Sequence, residues 1–324
     1  MYKRQVGVPL KSGQYPALGL QPGDDVALVR GAASLGKRFG IAEIVIGLTI
    51  VAFGTSTPEL AVNTLASMDG KNDIVFGNII GSNLFNLLFI LGVSGLIYPL
   101  TVQWNTVWKE IPFSLLVTLS LLFLVNDTWD GVSATCMLSR NDGLVLVLLF
   151  AIFLTYILGI ARLDTDEEHH TKEYSLASSL LFVTGGLGLL ALGARLSLNG
   201  AVAMGRLLNV SEKFIGCTIV AAGTSLPELA TSSVAAYRRH SDIAVGNVVG
   251  SNIFNILWIL GLSAVIRPAQ YQNSFNIDMT ALIGATLVLF LVMFTGQKHH
   301  LDRWEALLLI MGYAGYTGYL LYFR

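Results

Sequence analysis

The stretch GTSTPE at residues 54–59 occurs a second time, with one change, as GTSLPE at residues 223–228. Shifting the sequence by 169 residues aligns 47–92 with 216–261 without a gap, and 26 of the 46 paired residues are identical. Self-similarity at a fixed shift is the mark of an internal repeat. The chain therefore contains two copies of one structural unit, each with this motif near the start of its aligned block.

The composition is that of a membrane protein. Of 324 residues, 53% are apolar and 13% are charged, whereas soluble domains are about 25% charged. Nine apolar stretches approach the length that spans a hydrocarbon core of about 30 Å; they lie at 42–67, 74–98, 111–125, 143–161, 180–208, 212–237, 246–266, 279–295 and 304–323. We expect the short stretch 111–125 to recruit residues on either side. The net charge of −1 gives no basic surface for nucleic acid.

These features predict an all-α, polytopic protein of the cell (inner) membrane. Its surroundings are the lipid bilayer, and the sequence indicates no protein partner. A polar stretch at 162–174, RLDTDEEHHTKEY, separates the two copies. We predict a first repeat at 26–161, a solvated loop at 162–174 and a second repeat at 175–324. If each repeat has five spans, an odd number, the second is inverted in the membrane, as in many secondary transporters.

The first repeat lacks a clear leading span. The second has one at 180–208, whereas its shifted counterpart, 11–39, is polar in its first part and contains Pro16 and Pro22. Unsatisfied backbone groups in lipid cost several kcal/mol each. We therefore expect 1–25 to be an atypical segment from a truncated or misread start, which leaves the first of about ten helices incomplete. A longer reading frame upstream would support this expectation.

Each motif places a proline inside a spanning helix. Pro58 lacks a hydrogen-bond donor and clashes with the carbonyl of Gly54, and Pro227 has the same relation to Gly223. We predict that both helices break there. The breaks should free backbone carbonyls, which need a partner other than lipid, near Ala52, Phe53 and Gly54 and near Ala221, Ala222 and Gly223. A cation is such a partner.

Hydroxyl and carboxylate groups occupy the same turns in both copies: Thr55, Ser56 and Glu59, and Thr224, Ser225 and Glu228. Oxygen ligands suit Ca²⁺ and Na⁺, whereas zinc favours His or Cys, and all five histidines lie in connections. Carboxylates inside a membrane are commonly functional. For the hydroxyls, capping of their own helix is an open alternative.

The next helix of each copy carries a polar stripe. Residues four apart share one face of a helix, and here they are Asn78, Ser82 and Asn86, and Asn247, Ser251 and Asn255. Small-xxx-small spacings on the same helices allow close helix contact; they are formed by Gly77 and Gly81, and by Gly246 and Gly250. The stripes can face the glutamates, although hydrogen bonding between helices alone is an open alternative. For Asp73 and Asp242, just before these helices, we expect helix N-capping rather than ion binding.

The two copies resemble the cation/calcium exchanger superfamily, and prokaryotic sodium/calcium antiporters in particular. The similar blocks are GLTIVAFGTSTPEL with GNIIGSNLFN, and GCTIVAAGTSLPEL with GNVVGSNIFN. The resemblance covers about residues 26–323 and implies two inverted five-helix halves around a central ion site. It implies that the main Ca²⁺ ligands are Glu59 and Glu228, with Thr55, Thr224 and the carbonyls of Ala52 and Ala221. It implies that Na⁺ positions are lined by Ser56, Ser82, Ser225, Ser251, Asn86 and Asn255. Many relatives carry Asp at the position of Asn255.

The two glutamates suggest a mechanism, because one Ca²⁺ or several Na⁺ can neutralise them. Uncompensated buried carboxylates are costly, so the empty carrier should resist reorientation, which enforces exchange over leak. We expect an antiporter that exchanges Ca²⁺ for Na⁺ by alternating access, with these ions as substrates and without a cofactor. A proton/calcium exchanger with the same glutamates and a passive channel stay open. An intramembrane hydrolase using Ser56 or Ser225 is disfavoured, since no His or Lys lies near either serine in the sequence.

Overall fold

The protein is described by a computed structural model. It describes residues 41–126, 136–160, 175–186, 215–296 and 299–323, together with 31–32, 34–35, 38–39, 188–189 and 192. The atypical segment expected at 1–25, the polar loop at 162–174 and most of the span predicted at 180–208 lie outside the described residues.

The described residues are mostly helical. In the first half the helices are α1 (Glu43–Ile46, Gly47–Val51 and Ala52–Thr55, in direct succession), α2 (Thr57–Asp69), α3 (Asn72–Ile97), α4 (Thr106–Val125) and α5 (Arg140–Ile160). In the second half they are α6 (Leu176–Gly186), α7 (Ile215–Val220 and Ala221–Thr224), α8 (Leu226–Tyr237), α9 (Ser241–Ile266), α10 (Asn276–Val292) and α11 (Arg303–Phe323). The short strands are β1 (Leu100–Thr101), β2 (Met137–Leu138), β3 (Ala269–Gln270) and β4 (His300–Leu301).

Several of these helices can cross a membrane. Within the described ranges, five stretches are long and apolar enough: α3, α4, α5, α9 and Asn273–Val292, which contains α10. Helices α1 and α2 pass the same test together, as one span bent by 47°. The predicted all-α membrane architecture is confirmed. The short span predicted at 111–125 begins at Thr106, so it recruits residues on its amino-terminal side only.

The helix breaks predicted at the two prolines are confirmed. Ser56 separates α1 from α2 with φ −82° and ψ 9°, and Ser225 separates α7 from α8 with φ −85° and ψ 10°. Pro58 and Pro227 lie in the first turns of α2 and α8. A first turn has no acceptor for its N–H groups, so proline is tolerated there. The direction of the chain therefore changes directly before each glutamate.

The helices that lead into the two breaks and the helices that carry the polar stripes each contain a π-helical turn. These turns are Gly47–Val51 in α1, Phe85–Ile90 in α3, Ile215–Val220 in α7 and Asn255–Leu260 in α9. Turns of this kind are rare and occur frequently at functional sites. In α1 and α7 the turns lie before the breaks, and in α3 and α9 they contain the last asparagine of each stripe. Irregular backbone therefore lies close to the residues of both motifs and both stripes.

The halves pack crosswise, with α3 against α7 and α9 against α1. Two glycines permit the contact. A Cβ atom on Gly250 would lie 2.8 Å from both the Cα and the carbonyl oxygen of Leu48, and one on Gly81 would lie 2.8 Å from the carbonyl carbon of Cys217. Neither distance leaves room for a methyl group. The close contact predicted from the glycine spacing is confirmed, and it joins one half to the other.

The connections also cross between the halves. Strand β1 pairs antiparallel with β4, and β2 pairs antiparallel with β3. The first pair connects the end of α3 with the start of α11, and the second connects the end of α9 with the start of α5. Each pair therefore joins the two halves. These ties hold α3 and α9 in fixed positions relative to the rest of the bundle.

The N-capping role expected for Asp73 and Asp242 is wrong. The N-cap residues are Lys71 and His240, and neither side chain makes a capping hydrogen bond. The helices begin early enough to place both aspartates in the first turn, where the helix dipole favours a negative charge. There Asp73 accepts a hydrogen bond from Gln272 (2.6 Å) and Asp242 accepts one from Gln103 (2.7 Å). Both bonds join opposite halves.

Candidate ion-binding site

Two glutamates lie inside the helix bundle, because the breaks turn the first residues of α2 and α8 inward. Glu59 and Glu228 are both 0% exposed. The other side chains proposed from the sequence are also fully buried: Thr55, Ser56, Ser82, Asn86, Thr224, Ser225, Ser251 and Asn255. The structure thus places the whole set away from lipid and solvent.

Two hydrogen bonds connect the motifs across the halves. The Ser56 hydroxyl donates to Glu228 Oε1 and the Ser225 hydroxyl donates to Glu59 Oε1, each over 2.8 Å. The serines are the N-cap residues of α2 and α8, yet neither makes a capping bond. Capping is therefore not their role. Because each serine reaches the glutamate of the other copy, the two motifs meet at one place.

The threonines also reach across the halves. Thr55 Oγ1 lies 3.0 Å from Asn247 Oδ1, and Thr224 Oγ1 lies 3.1 Å from Asn78 Oδ1. A hydroxyl has one proton to donate and two lone pairs. When the proton goes to the asparagine, the lone pairs of each threonine are available to a cation.

The prediction that the breaks free the carbonyls of Ala52 and Ala221 is wrong. These carbonyls accept hydrogen bonds from the backbone N–H groups of Ser56 (3.0 Å) and Ser225 (3.1 Å), because the helix continues to the last residue before the break. A carbonyl oxygen has two lone pairs. The second lone pair faces the hydroxyl of Thr55 (3.3 Å) or Thr224 (3.2 Å), so each carbonyl can offer it to an ion when the threonine gives its proton to the asparagine.

The stripe asparagines pair between α3 and α9. Asn86 donates to Asn252 Oδ1 over 3.0 Å, and Asn255 donates to Asn83 Oδ1 over 2.9 Å. Asn255 also donates to Ser82 Oγ over 3.1 Å. Asn83 and Asn252 fall outside the four-residue spacing of the stripe, so that spacing does not predict them. Their identity in the aligned repeats was the signal that could have found them.

Four buried oxygen atoms at this place accept no hydrogen bond from the part of the chain that is described. They are Glu59 Oε2, Glu228 Oε2, Asn86 Oδ1 and Asn255 Oδ1. Buried polar atoms normally have a partner, and an unsatisfied one costs about 1–3 kcal/mol, more if it is charged. Acceptors gathered without donors form an environment that a cation would stabilise. Carboxylate, amide, hydroxyl and carbonyl oxygens are the ligands that Ca²⁺ takes.

Comparison with known proteins adds an independent finding. Residues 25–159 and 178–322 match the family described as sodium/calcium exchanger protein. The chain is 34% identical over 276 residues to the inner membrane protein YrbG of Escherichia coli (strain K12), covering 82% of each. It is 30% identical over 329 residues to the sodium/calcium exchanger MaX1 of Methanosarcina acetivorans, covering 91% of this chain and 93% of that protein.

A solved structure is similar over nearly the same length. It is that of the sodium-calcium exchanger NCX_Mj soaked with 2.5 mM Na⁺ and 0.1 mM Ca²⁺. The TM-score is 0.75 and the sequences are 30% identical, with 93% of this chain and 94% of that chain covered. The similarity therefore extends over both halves and both copies of the motif.

Proposed function

The chain belongs to the sodium/calcium exchanger protein family, and from that premise we propose that it exchanges Ca²⁺ for Na⁺ by alternating access at the site where the two GTSxPE motifs meet. Membership makes the chain a multi-pass cell (inner) membrane protein and a cation/Ca²⁺ exchanger rather than an enzyme. The observation that carries the proposal is the buried set of carboxylate and amide oxygens without donors, to which both halves contribute equally.

We assign the Ca²⁺ position to the two glutamates. Ca²⁺ takes six to eight oxygen ligands at about 2.3–2.6 Å. The site offers six groups of the right kind: the carboxylates of Glu59 and Glu228, the hydroxyls of Thr55 and Thr224, and the carbonyls of Ala52 and Ala221. The crossed serine bonds hold one oxygen of each carboxylate, which leaves the other oxygen for the ion.

The Na⁺ positions are assigned to the serines and the stripe asparagines. These are Ser56, Ser82, Ser225, Ser251, Asn86 and Asn255. The Ser251 hydroxyl lies 3.4 Å from Glu228 Oε1, and the Ser82 hydroxyl accepts a hydrogen bond from the amide nitrogen of Asn255 over 3.1 Å. Na⁺ in these positions would neutralise the same two carboxylates as Ca²⁺. Competition for that charge couples the two ions.

The halves give the site its access from two sides. In this proposal the repeats are 26–161 and 175–324, joined by 162–174 and preceded by the segment 1–25. Because the second repeat is inverted, equivalent helices approach the glutamates from opposite faces of the membrane. With neither ion bound, two uncompensated carboxylates oppose reorientation. The carrier therefore moves with a cation bound, which makes transport an exchange.

The test is ⁴⁵Ca²⁺ uptake into liposomes that contain the purified protein. Gradients of Na⁺, H⁺ and K⁺ are imposed one at a time, with the membrane potential clamped. We expect an outward Na⁺ gradient alone to drive uptake, and external Na⁺ to release accumulated Ca²⁺. Uptake driven by a pH gradient without Na⁺ would instead identify a proton/calcium exchanger. Flux of Ca²⁺ without any counter-ion would identify a channel.

Replacement of Ser82 by alanine tests whether Ca²⁺ and Na⁺ use the separate sets of ligands assigned to them. The variant removes a hydroxyl beside Asn255 but no group of the Ca²⁺ position, so the Na⁺ concentration for half-maximal exchange should rise about fivefold, for a loss of about 1 kcal/mol. The half-maximal Ca²⁺ concentration should change less than twofold. Ser94→Ala, a fully buried serine on the same helix, is the control and should leave both values unchanged. Equal changes for both ions in Ser82→Ala would contradict the assignment.

A further inference from the structure

We propose that Asn63 and Ser232 are positioning residues that fix the orientation of the threonine hydroxyls at the ion site. The proposal rests on the proposed function, because it assigns those hydroxyls to Ca²⁺. Asn63 lies on α2 and Ser232 lies on α8, and both are fully buried. Neither belongs to the set of ion ligands. Each is linked to a threonine of the opposite half through one asparagine that contacts both residues.

The first hydrogen-bond relay starts at a backbone carbonyl of α3. Asn63 Nδ2 donates to the carbonyl oxygen of Val75 over 3.2 Å, and Asn63 Oδ1 accepts from Asn78 Nδ2 over 2.8 Å. Asn78 Oδ1 in turn lies 3.1 Å from the Thr224 hydroxyl and can accept its proton, for which the carbonyls of Val220 (3.0 Å) and Ala221 (3.2 Å) compete. Every member donates to the one before it, so the direction of the relay is set by the carbonyl at its start.

The second relay has the same direction in the other copy. Ser232 Oγ donates to the carbonyl oxygen of Ala244 over 3.2 Å, and it accepts from Asn247 Nδ2 over 2.9 Å. Asn247 Oδ1 accepts from the Thr55 hydroxyl over 3.0 Å. The residue shift of 169 relates every position of this relay to one of the first.

The starting residues differ although their bonds are the same. Asn63 aligns with Ser232, one of the unmatched pairs within the repeat, while Asn78 and Asn247 are identical. Amide and hydroxyl share one ability, since both accept a hydrogen bond while donating another. Within this one chain the hydrogen-bonding pattern is therefore kept while the side chain changes. This indicates that the hydrogen-bonding pattern, rather than the identity of the side chain, matters for the site.

The pattern determines which side of each stripe asparagine faces the site. An asparagine amide has an acceptor oxygen on one side and a donor NH₂ on the other. Asn63 and Ser232 take the NH₂ side, so the oxygens of Asn78 and Asn247 face Thr224 and Thr55. Each threonine then gives its proton to an oxygen and keeps its lone pairs for a cation. A flipped amide would instead take one lone pair of each threonine. The threonine proton would then turn to a carbonyl of its own helix, Ala52 (3.3 Å) or Ala221 (3.2 Å), and take a lone pair of that proposed Ca²⁺ ligand as well.

Replacement of Asn63 by leucine removes the acceptor at nearly constant size. We expect the Ca²⁺ concentration for half-maximal exchange to rise at least tenfold, as for other groups that orient metal ligands, with the maximal rate reduced less than threefold. Asn63→Ser copies the residue of the other half and should restore the half-maximal Ca²⁺ concentration to within threefold of the unmodified protein. If Asn63 only stabilised the fold, its replacement would not raise the half-maximal Ca²⁺ concentration while leaving the maximal rate nearly unchanged.

The matched control is Asn126→Leu. Asn126 is a partly buried asparagine far along the chain from the motifs. Its side chain donates to the carbonyl of Leu122 (2.8 Å) and to Asn276 Oδ1 (3.2 Å), and it accepts from Asn276 Nδ2 (3.2 Å). Its replacement removes three side-chain hydrogen bonds, against two in Asn63→Leu, but no member of either relay. The half-maximal Ca²⁺ concentration should stay unchanged.

Ser232→Ala provides a second, smaller change for the case that Asn63→Leu does not fold. Asn247 Nδ2 also lies 3.4 Å from the backbone oxygen of Glu228, which retains part of its orientation. The half-maximal Ca²⁺ concentration should therefore rise by less than in Asn63→Leu, about threefold to fivefold, for a loss of about 1 kcal/mol.

Calcium binding to the purified variants, measured by titration calorimetry without a Na⁺ gradient, separates this proposal from the proposed function. If the protein binds Ca²⁺ but Na⁺ does not drive exchange, the coupling is wrong and the relays are still tested by affinity. If Asn63→Leu and Ser232→Ala both bind Ca²⁺ with unchanged affinity, the relays do not position the threonines. Equal loss of affinity in Asn126→Leu would also overturn the proposal.

Discussion

Replacement of Glu59 by glutamine is expected to abolish Na⁺-driven Ca²⁺ uptake while leaving the fold intact. Glutamine has nearly the same size, and its oxygen can still accept the bond from Ser225. It removes one negative charge and turns an NH₂ group toward the ion. Loss of one member of a buried charge pair costs about 3–5 kcal/mol, which lowers Ca²⁺ affinity by about two to four orders of magnitude. Glu228→Gln should have the same effect, because Ser56 holds Glu228 over the same distance.

Glu110→Gln is the control for this experiment. Glu110 is another buried glutamate of the membrane bundle, 3% exposed, and it accepts a hydrogen bond from the Tyr156 hydroxyl over 2.8 Å. It belongs to neither motif and to neither stripe. Uptake by this variant should stay within twofold of the unmodified protein. Full uptake by Glu59→Gln, or loss of uptake in all three variants alike, would contradict the assignment of the site.

Replacement of Gly81 or Gly250 by alanine is expected to damage the packing of the two halves. In each case the new methyl group meets the backbone of a facing helix, at Cys217 or Leu48, and backbone cannot rotate away as a side chain can. Overpacking of a core costs about 1–3 kcal/mol and sometimes more. Thermal unfolding of the detergent-purified variants should begin at a clearly lower temperature. Because the same helices carry the site, exchange activity should fall as well.

Gly284→Ala is the matched control, since a Cβ on Gly284 would have no atom within 4 Å. Alanine also favours a helix over glycine by about 1 kcal/mol, so this variant should unfold at the same or a higher temperature. If Gly81→Ala and Gly250→Ala were as stable as Gly284→Ala, the close crossing of α3 with α7 and of α9 with α1 would be wrong.

Local chemistry explains what the sequence could predict. Pro58 and Pro227 act on the turn that contains them, so the helix breaks follow from covalent structure. The glycine spacings act through the absence of a side chain, so the close contacts follow as well. The glutamates stand out because a carboxylate in an apolar span needs a reason. The division of the chain into repeats with boundaries at 162–174, and the roles of the ligands, stay predictions.

Contacts between distant residues explain what the sequence could not predict. The Ser56–Glu228 and Ser225–Glu59 bonds join residues more than 160 positions apart, and no local pattern shows that each serine serves the opposite copy. The hydrogen bond from Gln272 to Asp73 also joins the two halves. The local sequence around Asp73 does not show this partner, and for that reason it suggests only N-capping. The π-helical turns depend on packing between helices, so hydropathy contains no signal for them.

We propose that the two motifs form one site that binds one Ca²⁺, which Na⁺ displaces. The most direct measurement is equilibrium binding of ⁴⁵Ca²⁺ to the purified protein, counted per chain, with and without Na⁺, for the unmodified protein, Glu59→Gln and Glu228→Gln. We expect one Ca²⁺ per chain, competitive displacement by Na⁺, and loss of binding in either variant. Two Ca²⁺ per chain, of which each variant loses one, would show two separate sites and contradict the claim.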